Sequence, residues 1–138
     1  APLQVDEVPA PAHQMALSEQ ESRLKALNAE ARAIDPRLSV RSSFMQVQDH
    51  WHIVRSDGTD CFFQMARARL TQEITAKDGG ATASVSAGVI GVNAGLLDDA
   101  AALDRLRRRT ARAAQLALGL LKAPAIASGS YRLVIPPQ

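Results

Sequence analysis

A chain of 138 residues has the size of one ordinary domain, and a formal charge of +2, from 16 basic and 14 acidic residues, is too near balance for bulk attraction to nucleic acid. Its single cysteine, Cys61, excludes an internal disulfide framework and a multi-thiolate zinc cluster, and fits a reducing, cytoplasmic setting. No apolar run approaches the ~20 residues of a membrane span, and no leader pattern opens the chain, although a leader removed before Ala1 would leave no trace.

The opening "APLQVDEVPAPAHQ" carries Pro2, Pro9 and Pro11 among scattered aliphatics, so residues 1–17 are expected to form an extended linker ahead of one α+β domain over 18–138. Ser18 and Glu21 have the spacing of a capping box. Leu24, Leu27, Ala31 and Ile34 then make an apolar stripe that Pro36 interrupts, which predicts a helix over 19–34. From Leu38 the period falls to two through Val40, Ser42 and Phe44, and Gln48-Asp49 is expected to turn the chain into a second strand, "HWHIVRS". Asp57-Gly58 marks a tight hairpin turn. Beyond it, "TDCFFQMARARLTQEITAK" suits one long bent strand or two short ones, "KDGG" another turn, and "ATASVSAGV" a weak strand.

Gly88, Gly91 and Gly95 predict a flexible loop in "SAGVIGVNAG". Asp98 or Asp99 can cap a second helix running to about Lys122, with Leu103, Leu106, Ala113, Ala117, Leu120 and Leu121 buried and Pro124 as its stop. A last strand is expected at "SYRLVI". The sum is an α+β fold: a largely antiparallel sheet of about five strands, with two amphipathic helices over one face.

Chemistry is sparse. His50 and His52 flank Trp51 on a strand and share a face, and with Cys61 across the turn they could be imagined as a zinc site, but no carboxylate stands at a supporting spacing and a structural role explains them better. Cys61 before Phe62-Phe63 reads as a small hydrophobe rather than a nucleophile. Arg105, Arg107, Arg108, Arg109 and Arg112 spread over a solvated helix surface instead of forming a phosphate face. Asp98 and Asp99 suit helix capping. The glycines match neither dinucleotide nor phosphate loops. No catalytic, cofactor-binding or metal residue is therefore assigned.

In order, "AEARAIDPRL", "IVRSDGT", "ARLTQEITAKDGG", "SAGVIGVNAG", "ARAAQLALGLLKAPA" and "YRLVIPP" resemble the TldD/PmbA family of bacterial and archaeal metalloproteases, nearer the TldD branch, across roughly Ser18–Pro136. The resemblance implies an interior, non-catalytic fragment of a zinc-dependent peptidase. The H-E-x-x-x-H metal helix would follow a strand like "YRLVI", and His50, His52 and Cys61 would not be its ligands. The intact protein would then hold zinc, cleave unfolded or modified peptides, and pair with a related subunit as a dimer. The family's link to the name "modulator of DNA gyrase" is no evidence of DNA contact, and neither nucleic acid nor membrane is expected as a partner. The alternative is a free-standing α+β module that binds a peptide or ligand without enzymatic role.

Overall fold

The computed structural model describes residues 15–124 and 126–135. Helix α1 spans Leu17–Arg32, so both ends fall two residues before the predicted bounds. Ser18 is inside the first turn. The cap position is Ala16, whose carbonyl accepts from the Glu19 and Gln20 N–H groups, while Gln20 Nε2 donates to the Met15 carbonyl at 2.8 Å. The reason is Met15, only 8% exposed in the core: burying that side chain outweighs the ~1 kcal/mol that a serine cap is worth. Leu27 and Ala31 are buried as expected, whereas Ile34 lies past the helix and is exposed. Of the linker expected over 1–17, residues 1–14 lie outside the described residues, while Met15 is buried in the core and Leu17 opens α1.

Strand β1 runs without a break from Leu38 to Val54, and β2 from Asp60 to Asp78. No turn forms at Gln48-Asp49. Neither residue supplies the positive φ a tight turn needs, Asp49 pairs in register with Met65, and its carboxylate meets Arg67 across the ladder. The chain reverses only where glycine permits it: at Gly58 (φ +87°), which closes a turn onto the Arg55 carbonyl, and at Gly79 (φ +56°). Strand β3, Ala81–Gly91, consumes half of the expected loop, and Ala94–Leu97 forms a 3₁₀ turn capped by Asn93 Oδ1 on Gly95 N–H. Gly88 stays in the ladder because it is bare: a Cβ there would sit 3.0 Å from the Leu70 carbonyl oxygen.

The sheet is a three-stranded antiparallel meander, β1-β2-β3, not a five-stranded one. "SYRLVI" makes no strand among the described residues; it pairs with neither outer strand of the sheet, and Leu133, Val134 and Ile135 are exposed. Helix α2, Ala100–Leu120, starts on Asp99, whose Oδ1 accepts from Ala101 and Ala102 N–H groups, and it ends four residues before Pro124. Leu106, Ala113 and Ala117 are buried as predicted, while Leu120 points to solvent.

Register decides which face is covered. Leu38, Phe44, Leu70, Ile74 and Val89 share the side on which both helices lie. The core has two lobes: one around Leu70, Leu97 and Leu106, the other around Ile74, Ala114 and Ala117. Between them sits a buried polar bridge. Thr110 Oγ1 donates to Gln72 Oε1 at 2.5 Å, and Gln72 Nε2 donates to the Leu27 carbonyl at 3.2 Å and to Ser42 Oγ at 3.1 Å. One side chain thereby ties α1, β1, β2 and α2 together, each polar atom satisfied.

At the far end, Arg37 forks onto the Asp35 carboxylate (Nε–Oδ1 3.0 Å, Nη2–Oδ2 2.8 Å) and reaches Asp78 at 3.3 Å, fastening the α1–β1 connection to the end of β2. The Arg37 side chain, and then its backbone N–H, hold the Asp35 pKa down to about 2. A depressed carboxylate pKa stabilises the fold above the unfolded value of ~3.9, and that contribution is lost as pH falls through the folded value. In an NMR titration, Asp35 is expected to titrate near its lowered value and to move back toward ~4 in Arg37→Gln. A wild-type midpoint near 4 would refute the fork.

Candidate functional site

The pair register separates the imagined zinc ligands. His52 faces Phe62 and His50 faces Gln64, whereas Cys61 is the partner of Ile53 and so projects from the opposite side of the sheet. His52 Nε2 instead lies 2.7 Å from Asp60 Oδ1. Among the described residues no three His, Cys, Asp or Glu side chains lie together as a metal would need.

The α2 arginines divide. Arg107 grips Glu30 of α1 (Nε–Oε2 2.7 Å, Nη2–Oε1 3.2 Å) and lowers that carboxyl's pKa, and Arg108 pairs with Asp104 one turn back. Arg109 and Arg112 turn the other way, toward β3. Asp99 is a cap, and Asp98 accepts a salt bridge from Arg23 at 2.5 Å. Between the helices a pocket of about 220 Å³ opens over Gln72 and Thr110, smaller than the ~300–1,000 Å³ of a typical small-molecule site. A larger groove, of about 330 Å³, lies between β3 and α2.

The most conspicuous surface is one the sequence reading missed. β3 ends at Gly91, opposite Ala68, yet β1 and β2 continue past that level as a two-stranded ribbon from Val47 to Arg67. Among the described residues no helix or third strand covers it. Trp51 stacks on Phe63 across one face (centroids 6.1 Å, planes 7° apart), and His50 and His52 flank Phe62 on the other, each at 6.4 Å. Trp51 is nonetheless 50% exposed and Phe62 52%, with Ile53, Val54 and Met65 also bare. The ribbon thus carries bare apolar side chains on both of its faces.

Helices on one side of an antiparallel meander, with a two-stranded apolar ribbon reaching beyond them, define an α+β domain. The family model for the PmbA/TldA metallopeptidase central domain matches residues 10–121, and the chain belongs to that family. Comparison with curated proteins finds no match. The metal that the family's description implies is not fitted by the donors described here, because the histidines and the cysteine lie on opposite faces.

Proposed function

We propose that this chain is the non-catalytic scaffold domain of a TldD-like zinc peptidase of the cytoplasm. It walls a chamber for unfolded or modified peptides, and it contacts a related subunit through the ribbon, while the metal is held by residues outside this domain. The bare ribbon is the observation that carries the reading. Its large apolar side chains, Trp51, Ile53 and Met65 on one face and Val54 and Phe62 on the other, are each 40–66% exposed. At ~100 Å² apiece they offer on the order of 500 Å² over the two faces, so a partner that wraps the ribbon gains a large part of the ~800 Å² that one side gives to a standard interface.

The test uses the ribbon in a family enzyme that carries this domain. Trp51→Glu with Phe62→Glu is expected to convert a two-subunit assembly into single subunits by light scattering, with bound zinc unchanged. Because both side chains lie outside the core lobes, the melting temperature should move little. An assembly that survives the double substitution overturns the contact role. Stoichiometric, zinc-dependent peptide hydrolysis by these 138 residues alone overturns the non-catalytic one.

A further inference from the structure

β3 is an outermost strand, and its free edge can be read residue by residue. The two-residue turn Gly79-Gly80 closes on the pair Asp78↔Ala81, which makes that pair a hydrogen-bonded one. Counting by alternation, Ala83, Val85 and Ala87 direct their backbone groups at β2, while Ser84, Ser86 and Gly88 direct theirs away from the sheet. Two contacts agree. The Gly88 carbonyl accepts from Arg109 Nη1 at 2.6 Å, and a Cβ on Gly88 would lie 3.6 Å from Thr71 Cα, the close approach of a non-hydrogen-bonded pair. Among the described residues no backbone group outside the sheet meets Ser84 or Ser86.

Beside this edge runs α2, and between them lies a groove of about 330 Å³ whose walls include Val85, Gly88, Arg109, Arg112 and Leu116. Arg109 and Arg112, three positions apart, share one side of the helix. No carboxylate of the described residues lies within salt-bridge distance of either, whereas Arg107 and Arg108 are both paired. Unsatisfied strand donors and acceptors therefore stand next to two cations without counter-charges.

We propose that the free edge of β3 and the Arg109–Arg112 side of α2 form a strand-addition site for an extended acidic peptide. The peptide backbone pairs with the outward groups of Ser84 and Ser86, as a fourth strand would. Side chains at every second position then point into the groove, where an aliphatic stem lies against Leu116 and a carboxylate meets the guanidinium groups. Arg109 rests on the Gly88 carbonyl, and its five donors let it turn to an incoming carboxylate. The proposal stands on this edge alone and survives even if the peptidase reading fails.

The test titrates the ¹⁵N-labelled chain with an acetylated, amidated peptide of alternating valine and glutamate, against a valine–lysine counterpart. Expected are one-to-one binding, amide shifts concentrated at residues 82–90, and a preference of about tenfold or more for the acidic peptide that falls off with salt. Arg109→Gln with Arg112→Gln should bring the two peptides within roughly twofold of each other. N-methylation of alternate peptide amides along the pairing edge should abolish binding. No binding at millimolar peptide, equal binding of both charges, undiminished binding of the N-methylated peptide, or shifts confined to the ribbon would each overturn the proposal.

Discussion

Leu70→Ala is expected to lower the stability of the domain by about 3–4 kcal/mol and its melting temperature by roughly 10 °C. Leu70 is fully buried on the central strand, with Phe44 beside it on β1 and Val89 on β3, in the lobe that Leu97 and Leu106 complete. Removing three carbons forfeits about 2.4 kcal/mol of transfer free energy, and the cavity adds more because neighbours from all three strands cannot close over it. Ile90→Ala is the control: Ile90 pairs with Arg69 one residue along, is 78% exposed on the uncovered face, and its loss should cost under ~0.5 kcal/mol. Urea unfolding of the two variants checks the contrast, and equal losses would mean that the face assignment is wrong.

Gln72→Glu changes one amide nitrogen to oxygen and should still cost on the order of 3 kcal/mol at pH 7. Thr110 can go on donating to the carboxylate, but the atom that donated to the Leu27 carbonyl and Ser42 Oγ becomes an acceptor facing the Leu27 carbonyl and a hydroxyl whose proton is already given to Asn28 Oδ1, at a side chain only 2% exposed. The buried acid is expected to hold its proton to higher pH than in the unfolded chain, where it ionises near 4.3. A raised folded pKa means stability falls as pH rises from ~4.3 through the folded value, so this variant should be closer to wild type at pH 4.5 than at pH 7. Gln72→Met, which carries no charge, should show no such added slope. Parallel pH dependence in the Glu and Met variants would place Gln72 in contact with water.

Much of this was legible in the sequence because period and turn chemistry act locally. The inward phase of Leu38, Val40 and Phe44, the turns at Gly58 and Gly79, and the helix begun by Asp99 all follow from rules that need no tertiary partner. The misreadings have a common cause, which is that a distant contact overrode a local preference. Met15 pulled the start of α1 upstream of Ser18, Arg67 held Asp49 in the ladder, and a close approach to Leu70 kept Gly88 in a strand. "YRLVI" is rich in strand-forming residues yet stays unpaired, for which the structure offers no physical reason.

Two features were available and went unread. Gln72 falls in the inward phase between Leu70 and Ile74, and Thr110 lies one turn beyond Leu106, so two polar residues at core positions already implied that they meet. Likewise "WHIV" facing "CFF" drops the alternation of apolar and polar, which signals a ribbon with no buried side.

The ribbon has a property the rest of the domain lacks. Since no helix or third strand of the described residues packs on it, removing two residues from each strand beyond the level of Gly91 would shorten its projection by ~7 Å and leave every inward and outward position in phase. The same excision within Leu38–Phe44 would drag a different set of side chains under the helices. Evolution can thus lengthen or retract this lever in two-residue steps to meet differently spaced neighbours, without disturbing the body that carries it.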